Sequence, residues 1–70
     1  MALIRAEMAG KVLEVLVSDG DAVGEDQDLI LIESMKMQIP VGSPETGTVV
    51  KVFVVGGQFL NEGDPIVELG

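Results

Sequence analysis

The sequence predicts an all-β domain built as two small sheets packed face to face about a pseudo-two-fold axis. Three observations carry that expectation. Apolar residues make up 47% of the 70, and Val, Ile and Leu dominate them, with Phe53 and Phe59 the only aromatics; such side chains suit a pleated, half-buried surface better than a helix. The apolar positions alternate, and glycines recur too often for a helix to propagate. Finally, the chain repeats itself. Residues 9–33 lie on residues 46–70 at an offset of 37 without a gap. Gly10, Val12, Val15, Val17, Gly20 and Glu25 then fall on Gly47, Val49, Val52, Val54, Gly57 and Glu62. Val23 meets Leu60, and Leu29 and Ile30 meet Ile66 and Val67. Valines align readily by chance in such a chain; two glycines, a glutamate and the apolar pattern together do not.

Each half is expected to run through the same elements. A glycine leads into a strand over residues 11–17 or 48–54, and a turn follows at Gly20 or Gly57. A short apolar step at Val23 or Leu60 comes next, then a polar turn, then a last strand over residues 29–33 or 66–69. Strict alternation puts Leu13, Val15 and Val17 on one face, like Val50, Val52 and Val54, with Glu14 and Lys51 on the other. The connector, residues 34–45, should lie at one end of the domain, away from the chain termini.

Composition narrows the function. Seventy residues make one domain, 1–70, and a chain this short buries only about 60% of its unfolded surface. There is no Cys and no His, which excludes disulfides, thiolate or imidazole metal sites and Cys- or His-based nucleophilic pairs. The net charge is −8, and Arg5, Lys11, Lys36 and Lys51 are too few and too scattered to form a nucleic-acid face. Anionic membranes should repel the domain, no apolar run is long enough to insert, and the first residues lack a signal-peptide layout. A monomeric cytoplasmic protein is the expectation. Asp19, Asp21 and Gly24 begin like a calcium loop, but Val23 and Ile30 stand where oxygen ligands are needed. The scattered carboxylates read as a solvating surface, and no enzyme constellation is present.

The informative stretch is Glu33-Ser34-Met35-Lys36-Met37-Gln38-Ile39-Pro40. One strand ending near Ser34 and another starting near Met37 imply a tight hairpin with Lys36 at its turn. A lysine there is exposed on a flexible four-carbon stem, within reach of an enzyme that must engulf the amine. Lys11 and Lys51 lie inside strands, where the backbone is tied into a ladder. Alone, a surface lysine between two methionines is unremarkable.

Here the sequence resembles the attachment motif of the biotinyl/lipoyl domain family, in which Ala-Met-Lys-Met or Ser-Met-Lys-Met carries biotin on the lysine. Gly20-Asp21-x-Val23, Leu29, Pro44, Gly47, Val49 and Gly63-Asp64 agree with the family pattern. The resemblance is closest to short biotin/lipoyl attachment proteins and to the biotinyl domain of biotin carboxyl carrier proteins. It implies a flattened barrel-sandwich of two four-stranded antiparallel sheets, with the lysine on an exposed hairpin. Two positions depart from the pattern. Ser34 replaces the commoner Ala, and Asp26 stands where the family and the second repeat, at Gly63, use Gly. If Asp26 must adopt a positive φ, Asp tolerates it better than most residues do.

The resemblance also implies a function. Lys36 forms an amide with biotin, installed by a biotin protein ligase. The loaded domain is a non-catalytic carrier, shuttling carboxybiotin from a biotin carboxylase to a carboxyltransferase or decarboxylase. Met35 and Met37 are the candidate recognition residues, soft enough to pack against several partners. Glu33 is either a ligase discriminator or a polar strand end; Ser34 completes the motif. Two alternatives stand beside this reading. One is a lipoyl carrier of a 2-oxo acid dehydrogenase-type complex, although lipoyl motifs usually read Asp-Lys-Ala. The other is an unmodified assembly module on the same scaffold.

Overall fold

In a computed structural model, which describes residues 2–70, the chain forms eight strands and two sheets. They are β1 (Ala2–Arg5), β2 (Gly10–Val15), β3 (Ala22–Val23), β4 (Asp28–Ser34), β5 (Met37–Gly42), β6 (Gly47–Val52), β7 (Phe59–Leu60) and β8 (Pro65–Leu69). One four-stranded sheet has the order β1-β8-β6-β3 and the other β5-β4-β2-β7, with every pairing antiparallel. Each half therefore keeps two strands in one sheet and gives two to the other. Neither half can close its own core.

The offset of 37 seen in the sequence recurs in the backbone. The N–H of Gly20 bonds to the carbonyl of Val49 at 2.7 Å, and that of Gly57 to the carbonyl of Val12 at 2.7 Å. Leu16 N–H donates to Leu29 and Phe53 N–H to Ile66, each at 2.9 Å. Side chains close equivalent turns: Ser18 N–H donates to Asp21 Oδ2 and Val55 N–H to Gln58 Oε1. The next pair of turns is closed by Gln27 Oε1 and Asp64 Oδ2 in the same way. Asp19, which opens the calcium-like run, instead takes the N–H of Val52 on its carboxylate at 2.8 Å. Those acids cap backbone, where a calcium loop would point them at a cation.

The strict alternation expected for the long strands fails at one residue in each half, for a physical reason. The register of β2 on β4 slips between Val12 and Glu14, and that of β6 on β8 between Val49 and Lys51. Leu13 and Val50 are thus extra residues in β-bulges, which shift the pleat by one and bend the strand. Val12 and Val49 fill the core, with 0% and 1% exposure, while Leu13 is half-buried and Val50 is 50% exposed. Val15, Val17, Val52 and Val54 do point inward as expected. A second bulge pair sits at Leu29 and Ile66, both fully buried, where β4 slips on β5 and β8 on β1. The regular ladders also stop at Val15 and Val52, two residues sooner than the sequence suggests.

The structure extends the repeat beyond what the sequence shows. Strand β5 is the dyad mate of β1: Ile32 pairs with Ile39 just as Leu69 pairs with Ala2. Much of the connector is therefore not an end loop but an edge strand, and Ser43 at its close is buried like its mate Ala6. Asp26 has φ 66 against φ 91 at its mate Gly63, so the left-handed conformation is required in both halves.

Two predictions follow from these contacts. Leu29→Ala should cost about 2–5 kcal/mol in urea unfolding, because it empties the middle of the joint core. Gly57→Ala should cost about 1–2 kcal/mol through backbone alone: its φ is +91, and an added Cβ meets nothing within 4 Å. A Gly57→Ala melt equal to wild type would contradict the strained-turn account.

Candidate functional site

The β4–β5 ladder runs without interruption from Ile30↔Val41 to Ser34↔Met37, and Met35 and Lys36 form the two-residue loop at its end. Their φ values are 53 and 64. Positive φ at both central residues is the sign pattern of a type I′ turn, the loop whose twist matches an antiparallel hairpin. Such turns favour Asn-Gly, whereas here both positions carry long side chains, at about 1–2 kcal/mol each. The core holds the turn in place: Ile32 is buried and Ile39 packs against the same cluster, two rungs from the tip. A further tie comes from Ser34, whose hydroxyl donates to the Ala9 carbonyl at 2.8 Å and fastens the hairpin root to the β1–β2 loop. Gly10 stands where that loop meets β4, since a Cβ there would lie 2.8 Å from the Glu33 carbonyl oxygen.

The five residues singled out in the sequence are thus brought to one place. Met35 is 92% exposed, Met37 63%, and Lys36 is exposed between them. Of the side-chain hydrogen bonds among the described residues, none involves Lys36. The other cations differ. Arg5 donates to the Gly63 carbonyl at 2.9 Å, and the Lys51 ammonium lies 5.2 Å from the Phe53 ring centroid. Lys11 sits mid-ladder between Glu33 and Phe59. Glu33 is exposed, in register with Lys11 on one side and Gln38 on the other. The amine stands at the tip of the hairpin, flanked by two exposed thioethers and without a hydrogen-bond partner among the described residues. The residues present therefore fit an amide-linked group at Lys36.

Sequence reasoning did not single out Ala9, whose carbonyl anchors Ser34, or Phe59, which is 61% exposed beside Lys11. A bond to a main-chain carbonyl leaves no mark in the sequence. Phe59 did leave one: the repeat sets it against Ala22.

Comparisons with known proteins bear on the family and the fold. The "Biotinylated protein TB7.3 homolog" of Mycobacterium leprae is 49% identical over 63 residues, covering 90% of this chain and 89% of that protein. The "Dihydrolipoyllysine-residue acetyltransferase component of pyruvate dehydrogenase complex" of Azotobacter vinelandii is 45% identical over 60 residues, covering 86% of this chain and 9% of that protein. A solved single-chain, multi-domain long-chain acyl-CoA carboxylase superposes with a TM-score of 0.88 at 35% identity, over 94% of this chain and 7% of that one. The chain thus spans nearly all of one relative and under a tenth of two larger proteins. The biotin/lipoyl family described as "Biotin-requiring enzyme" matches residues 2–69, and the chain belongs to it.

Proposed function

We infer that this domain is a carrier whose Lys36 holds biotin and moves an activated carboxyl group between two enzyme sites. Domains of this family carry their group and leave the reaction to other proteins. The observation that supports the reading most is the unengaged Lys36 amine on a rigid two-residue turn between Met35 and Met37. An alkylammonium ion is no nucleophile, so the modifying ligase must take a proton from Lys36 before its nitrogen attacks. That nitrogen would hold biotin as an amide, with the ligase supplying the acyl group as an adenylate and AMP as the leaving group. When bound, biotin supplies a ureido nitrogen that holds a carboxyl group. The chain's own contribution is placement. The β4–β5 ladder and the Ser34 tie keep the tip from folding back, so a partner meets one geometry and the linked group a high effective concentration.

Met35 and Met37 supply adaptable apolar contact to the ligase and then to a biotin carboxylase and a carboxyltransferase or decarboxylase. Glu33 and Ser34 set the flank and root of the same hairpin. A second reading, lipoate on the same amine, draws support from the 45% identity to the acetyltransferase component. The Met-Lys-Met sequence favours biotin over it.

Co-expression with a biotin ligase should give a product that binds streptavidin and carries one added biotinyl mass on Lys36. A lipoyl mass there would select the second reading. Lys36→Ala should abolish the added mass and change stability by under about 0.5 kcal/mol, because Ala keeps the Cβ that makes positive φ costly and the site is exposed. Met35→Gly should relieve the positive φ, leaving stability unchanged or raised by up to about 1 kcal/mol, while the acylation rate falls. Full-rate acylation of Met35→Gly would deny that residue a recognition role.

A further inference from the structure

The pseudo-dyad offers a way to separate what the fold needs from what it does not. Every position from 2 to 33 has a mate 37 residues later in an equivalent backbone setting. An exposed apolar side chain whose mate is also apolar, such as Leu16 with Phe53 or Leu13 with Val50, belongs to the scaffold. Three large exposed apolar residues have small or polar mates instead: Met8 against Glu45, Val55 against Ser18, and Phe59 against Ala22. Two of these three border the hairpin root. Met8 precedes Ala9, the acceptor for Ser34, and Phe59 pairs with Lys11. At the mated positions the fold manages with Glu and Ala.

Phe59 lies in a definite row. On the outer face of the second sheet, Phe59, Lys11, Glu33 and Gln38 stand side by side on β7, β2, β4 and β5. Strands lie about 4.8 Å apart, so this row spans about 14 Å. Within it, Glu33 and Gln38 each lie two residues from the Met35–Lys36 turn. A standard interface covers about 800 Å² on each partner, which is wide enough to take in the row and the hairpin tip together.

We propose that this row is a docking surface for the enzyme that acylates Lys36, with Phe59 as its aromatic anchor. The inference rests on the carrier reading above and adds the surface that the ligase holds. The ligase is the partner that must come close. Its reaction occurs on the Lys36 nitrogen itself, within one side chain's length of the turn, so its body covers the hairpin root. Later partners meet a group at the end of a long arm, so they touch the tip at Met35 and Met37 without having to cover the hairpin root. The complementary surface has an apolar socket for the Phe59 ring and a cation for Glu33. The domain's net charge of −8 steers a basic surface toward it. Desolvated aromatic anchors of this kind hold most of the energy of an interface, while their neighbours serve to exclude water.

The test is steady-state acylation of the apo domain by a biotin protein ligase with biotin and ATP. Phe59→Ala installs the residue that the fold already accepts at position 22, so its thermal melt should match wild type. Its KM as a protein substrate should rise about tenfold or more, with kcat within twofold. Val55→Ser, an equal symmetry break in the turn between β6 and β7 and outside the row, should acylate like wild type. A Lys36→Ala domain should inhibit acylation of wild type competitively, and adding Phe59→Ala should raise its inhibition constant by the same factor. Phe59→Ala acylated as efficiently as wild type would overturn the docking surface and leave the carrier reading standing. A wild-type domain that no biotin ligase acylates at Lys36 would overturn both.

Discussion

Neither half of this chain can bury its apolar face unless the other half lends it strands. Strands β3 and β7 cross over to pair with β6 and β2 of the opposite half, and reciprocal bonds from Gly20 and Gly57 lock the exchange. The resulting core is single and shared: Val12, Leu29, Ile30 and Leu60 pack with Val49, Ile66 and Val67. This arrangement answers the problem of size. Seventy residues without disulfide or metal must reach native packing from aliphatic side chains alone. The bulges at Leu13, Val50, Leu29 and Ile66 turn the strands enough for two narrow sheets to wrap one another.

That interlock is also what permits a strained tip. A type I′ turn made of Met and Lys opposes its own local preferences and persists only where its surroundings over-determine it. Ile32 and Ile39 supply the constraint from the core, and Ser34 from the neighbouring loop. The dyad mate of this hairpin is the pair of chain ends, where Ala2 meets Leu69. The same pairing thus closes on Ala2 and Leu69 in one half and runs on to the Met35–Lys36 turn in the other.

What the sequence could disclose depended on whether the cause was local. The repeat and the hairpin were legible, since glycines, alternation and Met-Lys-Met are patterns along the chain. The bulges were not. Val12 and Leu13 are both apolar, and only the partner strand decides which of them is the extra residue. The mate of β1 was hidden for another reason: Ala2-Leu3-Ile4-Arg5 and Ile39-Pro40-Val41-Gly42 share a backbone path but scarcely a side chain. The positive φ of Asp26 was foreseeable because its mate is Gly63. Those of Met35 and Lys36 have no mate to betray them, being imposed by the ladder behind them. Ser34 looked like a neutral replacement for alanine until its hydroxyl was found on the Ala9 carbonyl.

Internal symmetry then does more than describe the fold. When two halves solve the same packing problem, a residue found in only one half is not required by that problem. Asp26 and Gly63 show the rule from the structural side: different residues meet the same demand for a left-handed backbone. Met8 and Phe59 show it from the other side, since exposing apolar area to water lowers solubility and contributes no burial. In this small acidic domain two of the three such residues lie near the root of the hairpin that carries the Lys36 amine. On the docking proposal, those two residues mark the side from which the ligase approaches.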